Sequence, residues 1–155
     1  MNKQYKRIAI AVLILFCMQI STNVVASPEQ DCVDKINELR ATIGLYPLQR
    51  WNDAESCVTR TIQVDADSGQ YHYSIRNGDN CGAGAQNVCA GSAYSSITDL
   101  INKCPLDHWR ESEDDGLPQT HYQNLASTSA THVACGFYKK PDGSIWSNMN
   151  FGTPQ

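Results

Sequence analysis

From residue 31 onward the apolar positions repeat first at helical and later at strand spacing. In DCVDKINELRATIGL, Cys32, Ile36, Leu39 and Ile43 recur every three to four residues and Gly44 supplies a stop, so the pattern predicts a helix. YPLQRW reads as a short extended link. NDAESCVTRTIQVDADSG predicts a second helix, with Asn52 as its cap, Glu55 three residues on, and Ala54, Cys57, Val58, Thr61 and Ile62 on the inner face. IRNGDNCGAGAQNVCAGS carries four glycines and three asparagines and reads as turn and loop. A third helix is predicted from near Ser95, with Ile97, Leu100 and Ile101 on one side. Pro105 is expected to interrupt or restart it, and LDHWRESEDDG to form a further helical turn or two.

The last third changes period. HVACGFY alternates, with Val133, Cys135 and Phe137 on one face; KKPDG is a turn by composition. SIWSNMNF alternates again and sets Ile145, Met149 and Phe151 opposite Trp146, Asn148 and Asn150. Helices followed by an antiparallel hairpin predict an α+β domain with helices packed on a sheet.

The first 26 residues stand apart. Lys3, Lys6 and Arg7 precede an apolar run from Ile8 to Ile20, and Val24 and Ala26 occupy the small-residue positions before a cut at Ala26/Ser27. This is the layout of a secretory signal peptide, and the run is too short for a spanning helix. Residues 27–155 then form one mature domain. Removal takes three of the twelve basic residues and none of the sixteen acidic ones, leaving nine against sixteen, a formal charge of −7. That balance repels nucleic-acid phosphates and anionic membranes, so nucleic acid is excluded as a partner and no stable membrane insertion is expected after cleavage. Export leads to the periplasm or the extracellular medium.

Cys17 leaves with the leader. Cys32, Cys57, Cys81, Cys89, Cys104 and Cys135 remain, an even count that implies three disulfides in an exported domain. Fifteen pairings are open. No CxxC pair supports structural zinc. Four histidines remain, His72, His108, His121 and His132. His108, beside Trp109 and surrounded by acids, reads as a surface residue, and His132 as facing solvent or a helix. Trp51, Trp109 and Trp146 read as packing residues. Asp114-Asp115 lacks the spaced oxygen ligands of a calcium loop and reads as a solvated turn. There is no GxSxG elbow.

The order of segments resembles the CAP superfamily, the cysteine-rich secretory proteins, antigen 5 and class 1 pathogenesis-related proteins. Asn37, Arg40 and the stretch from Gly44 to Trp51 match the family's first helix and its GL-x-PL-x-W segment. His121-Tyr122 matches its HY-x-Q/N piece, and Thr131 to Gly136 its T-x-VACG piece. The likeness covers residues 31 to 151 and looks like a bacterial branch. It implies a three-layer α-β-α sandwich with a central antiparallel sheet.

The resemblance also implies a cleft lined by two histidines and two acidic residues, carried here by His72, Gln86, Glu111 and His121. Glu113 is the alternative to Glu111. Gln86 stands where the family has a carboxylate, and an amide neither titrates nor ligates a cation well. The metal set shrinks to His72 and His121, a weak, pH-dependent zinc site at most, with no cofactor required. The resemblance further suggests bridges Cys32–Cys57, Cys81–Cys89 and Cys104–Cys135, and Tyr122 packed beneath His121. It implies a non-enzymatic secreted module whose cleft binds an apolar small molecule of the sterol or fatty acid class, or an extracellular protein. The alternative is a metal-assisted hydrolase with Glu111 as general base. The chain ends soon after its last strand, so the cysteine-rich tail of the animal members, with its ion-channel role, is not expected.

Overall fold

Helix α1 spans Pro28–Ala41. Ser27 caps it by accepting from the Gln30 N–H, Pro28 supplies a preset first turn, and Cys32, Val33, Ile36 and Leu39 form the buried stripe. The structure, a computed structural model, describes residues 27–113 and 119–154. The leader read over residues 1–26 and the acidic pair at 114 and 115 lie outside the described residues. Among those described, no helix is long and apolar enough to cross a membrane.

The remaining elements are β1 (Gln49–Arg50), α2 (Asn52–Ser68), α3 (Tyr73–Arg76), β2 (Ala85–Gly91), α4 (Ile97–Arg110), a 3₁₀ turn (Glu111–Glu113), α5 (Thr120–Leu125), β3 (His132–Lys139) and β4 (Ile145–Gly152). The sheet runs β1-β3-β4-β2. β4 pairs antiparallel with both β3 and β2, whereas the two residues of β1 pair parallel with β3.

Alternation along the strands builds two cores. Val133 and Cys135 of β3 and Ile145, Met149 and Phe151 of β4 face α1 and α4, forming one cluster with Ile36, Leu100 and Ile101. On the opposite face α2 covers the sheet, with Ile62 and Ala66 against Val88 and Trp146, and Val58 against Ala134. The result is the expected α+β sandwich, helices on both faces of a mainly antiparallel sheet.

Asn37 and Arg40 of α1 hold the next loop by hydrogen bonds. Asn37 stands in for a strand partner, accepting from the Leu48 N–H at 2.8 Å and donating to the Leu48 carbonyl at 2.9 Å. Arg40, buried, donates to the carbonyls of Tyr46, Leu125 and Ser127.

Four local expectations are corrected. Residues 85–91 are a strand, because pairing with β4 from Ile145 to Phe151 overrides the turn-like composition. Asn52 is the first residue of α2, Trp51 holds the cap position, and Glu55 instead forms a two-pronged ion pair with Arg50 at 2.6 and 2.8 Å. Helix α4 continues through Pro105, which is buried. A proline removes one backbone hydrogen bond, and the bridge at Cys104 and the packing of Leu100 and Ile101 hold the helix across that gap.

The fourth concerns the disulfides. The bridges are Cys32–Cys135, Cys57–Cys81 and Cys89–Cys104, so none of the three suggested pairs forms. Cys32 lies on the sheet-facing stripe of α1 and meets central strand β3. Cys89 lies on β2, a strand rather than a loop, and meets α4 instead of Cys81. Cys57 is then left to tie α2 to Cys81.

Candidate functional site

A cavity of about 440 Å³ opens along the outer side of β2. Val88, Cys89 and Ala90 form its floor. Tyr71 and His72, from the turn after α2, line one wall, and His108 of α4 and His121 of α5 line the other. Three consecutive strand residues line the floor, and neighbouring side chains point to opposite faces, so the strand's edge itself faces the cavity.

His72 is held in the left-handed region, φ 59° and ψ 22°, at the start of α3. A non-glycine residue there is strained, and such strain persists only where surrounding contacts hold it. One such contact is visible: His72 Nδ1 lies 2.8 Å from Gln86 Oε1. The direction of this bond follows from the chain of partners behind it. Asn150 Nδ2 donates to the Asn80 carbonyl, so Asn150 Oδ1 is free to accept from Gln86 Nε2 at 3.1 Å. Gln86 Oε1 must then face His72, and His72 Nδ1 carries the proton. In the neutral ring, Nε2 is left with the free lone pair.

His121 is arranged in the same way with a carboxylate. Its Nδ1 lies 2.6 Å from Glu111 Oε1, and Glu111 Oε2 accepts from the backbone N–H groups of His121 at 3.1 Å and Tyr122 at 3.3 Å. Buried Asn87 donates to the His121 carbonyl and accepts from Asn124, which joins α5 to β2. Glu113 is exposed, and the histidine partner is Glu111.

His108 is not a surface residue. Its ring stacks on His121 with centroids 4.1 Å apart and planes 13° from parallel. It continues the inner stripe of α4, four residues after Cys104, and that spacing is the sequence feature that places it in the cleft. Tyr122 packs edge-on against Trp109, so the ring against His121 is His108. His132 lies at the far end of β3, bonded to Thr131 and edge-on to Trp51, away from the cavity lining.

Burial pushes the His108 pKa down to about 4, reinforced by the neighbouring imidazole of His121 and opposed by Glu111. His108 is therefore neutral at physiological pH. The unfolded chain takes up this proton more readily than the folded one between pH 6.5 and about 4. The associated stability is full above pH 6.5 and lost as pH falls through that window. Discounting for partial exposure, the loss is about 2 kcal/mol. Urea unfolding at pH 7 and pH 4.5 should show it in the wild type, and His108→Phe, which keeps the stack, should remove that part of the slope.

Two groups among the described residues have metal-like spacing: Cys89, Cys104 and His108, and Cys57, Asp79 and Cys81. In each, both cysteines are joined in a disulfide, so neither offers a thiolate. The groups left in the cleft that could meet a cation are the imidazoles of His72, His108 and His121 and the carboxylate of Asp107. Glu111 and Gln86 sit behind the rings of His121 and His72 as orienting partners.

Residues 33–151 match the CAP family, the cysteine-rich secretory protein family. The chain belongs to this family. Among curated relatives, pathogenesis-related protein 1B of Nicotiana tabacum is 24% identical over 148 residues, covering 94% of this chain and 86% of the tobacco protein. The solved structure of Na-ASP-1 superposes with a TM-score of 0.67 at 12% identity over 82% of this chain, which spans only 39% of that longer protein. NaASP2, solved with Zn2+, gives a TM-score of 0.66 at 9% identity and covers 84% of this chain and 82% of its own. At such identities these structures establish the fold alone. A CAP domain carrying three disulfides has the covalent chemistry of an oxidising, extracytoplasmic compartment.

Proposed function

We propose that this CAP domain is a secreted, non-enzymatic binding module that holds an apolar small molecule in the cleft beside β2. The observation that carries this reading is the state of Glu111. Both its oxygens are taken up by His121 and the backbone of α5, and the second carboxylate position is Gln86, an amide. A hydrolase needs a free base or an activated nucleophile. Among the described residues lining the cavity, no hydroxyl or thiol is bonded to His72 or His121. Five rings, Tyr71, His72, Tyr94, His108 and His121, line the space and suit an apolar ligand body, with the exposed carboxylate of Asp107, 4.0 Å from Arg110, as the one acidic lining group.

The metal-assisted hydrolase remains as a second reading because Glu111 backs His121 as a carboxylate backs a general-base imidazole, and because NaASP2 was solved with Zn2+. Two imidazoles suit a divalent cation that fills its remaining positions with water, and such a site is weak and pH-dependent.

Calorimetric titration of the purified domain with zinc, repeated on His72→Ala, separates the two readings. The expected result is at most one weak site, lost in the variant, with reporter ester and peptide hydrolysis at background either way. Native extraction followed by mass spectrometry should return an apolar molecule from both proteins. Zinc-dependent turnover abolished by Glu111→Gln would sink the binding-module reading.

A further inference from the structure

The direction of the backbone groups along β2 follows from the ladder on the far side of β4. The Lys140 N–H donates to the Ser144 carbonyl at 2.9 Å, in register with the β3–β4 pairs. In an antiparallel ladder the bonded pairs fall on every second residue, so Trp146, Asn148 and Asn150 turn their backbone groups to β3. Ile145, Ser147, Met149 and Phe151 are left to bond β2, where their partners are Gly91, Cys89, Asn87 and Ala85. The Gly84 N–H reaches the Phe151 carbonyl at 2.9 Å, in keeping with that assignment. Gln86, Val88 and Ala90 therefore direct N–H and C=O away from the sheet. The Gln86 carbonyl accepts from Asn124 of α5 at 3.5 Å, as this direction requires. Val88 and Ala90 border the histidine cleft, and no other described residue bonds their outward groups. Val88 is only 6% exposed, and a buried backbone group without a partner is costly. Donors and acceptors repeated at every second residue are the pattern that another strand matches.

We infer that the cleft takes a short extended peptide of alternating apolar and basic residues, added to the sheet along Val88 and Ala90. Side chains of an added strand alternate between two walls. On the side of α2, Tyr71 stands half-exposed and stacked on Trp146, with centroids 5.3 Å apart, and offers its ring to the apolar residues. On the side of α4, Asp107 is the one acidic lining group. Its ion-pair partner Arg110 stands 4.0 Å off, and both side chains are exposed, so the carboxylate is open to a basic residue. The chain's formal charge of −4 favours the same partner. This inference rests on the reading of the cleft as a binding site, and it names backbone amides as what the apolar ligand carries.

Titration of the ¹⁵N-labelled domain with acetyl-Val-Lys-Val-Lys-Val-amide, and separately with 1-octanol, tests it. The peptide should shift the amides of Val88 and Ala90 and slow their hydrogen exchange. Two further peptides carry N-methyl groups, one on the valine nitrogens and the other on the lysine nitrogens. One of them should lose at least about tenfold in affinity and the other should bind like the parent, because only alternate amides of the added strand face β2. Ala90→Pro removes an outward donor and no bond to β4, so it should fold and bind the parent peptide about tenfold more weakly. Asp107→Asn should weaken binding about threefold. Equal affinities of the two methylated peptides, unmoved Val88 and Ala90 amides, or unchanged binding in Asp107→Asn would each overturn the proposal. If Ala90→Pro fails to fold, the methylated pair decides the matter. Cleft amides that move with 1-octanol and not with the peptide would overturn this inference and leave the binding-module reading standing, whereas no movement with either would remove both.

Discussion

Replacing Cys32 and Cys135 together with alanine should destabilise the domain by about 4–5 kcal/mol, the largest loss among the three bridges. The pair joins α1 to β3 across a sequence separation of 103 residues, against 24 for Cys57–Cys81 and 15 for Cys89–Cys104. Closing a longer loop removes more freedom from the unfolded chain, so the same relation gives about 3 kcal/mol for the shortest bridge. Both half-cystines are buried among Val33, Ile36 and Val133, so little packing changes beyond the lost sulfurs. For a domain of ordinary stability, about 5–15 kcal/mol, a loss of about 4–5 kcal/mol is at least about a quarter of the total. Urea unfolding of the three double-alanine variants should rank them by loop length. A Cys89→Ala/Cys104→Ala variant weaker than Cys32→Ala/Cys135→Ala would show that local packing outweighs the loop.

Gly136→Ala should cost about 3 kcal/mol for the addition of a single carbon. Gly136 sits in β3 where α2 crosses the sheet, and a Cβ there would lie 2.7 Å from the Thr59 nitrogen and 2.8 Å from the Val58 carbonyl carbon. Both are helix backbone, which cannot rotate out of the way as a side chain would. The strand or the whole helix must shift, and the layer of Ala54, Val58 and Ala134 opens with it. A drop in Tm of roughly 10 °C is expected. Gly84→Ala is the control, since its Cβ would meet nothing within 4 Å, and it should melt near the wild type. A melt of Gly136→Ala within two or three degrees of that control would refute the close crossing of α2 over β3.

Elements that bury one stripe or one face were legible in the sequence, because burial writes a period into the residues. The stripe of Cys32, Ile36 and Leu39 gives α1, and the alternation from Ile145 to Phe151 gives β4 with its two faces as found. β2 was not legible. Its sequence, AQNVCAG, has one β-branched residue, and the strand exists because β4 supplies its partner. The helical course through Pro105 was hidden because tertiary packing outweighs a local rule there.

The disulfide pairing followed from the same gap. With residues 85–91 read as a loop, Cys81 and Cys89 looked like neighbours, whereas a strand sends Cys89 to α4. For the cleft, the order of motifs pointed to His72, Gln86, Glu111 and His121, and the structure arranges them as two hydrogen-bonded pairs. The acidic neighbours of His108 in sequence point to solvent, and the structure places it in the cleft instead. Its place four residues after Cys104 on the inner stripe of α4 carried the better information.

The bridge between Cys89 and Cys104 joins the bottom of the histidine hollow to one of its sides, and Cys57–Cys81 fixes α2 to the segment that leads into β2. Under the proposed binding role, a floor and side joined covalently would have little freedom to close on a guest, so discrimination would fall to contour and girth rather than to closure.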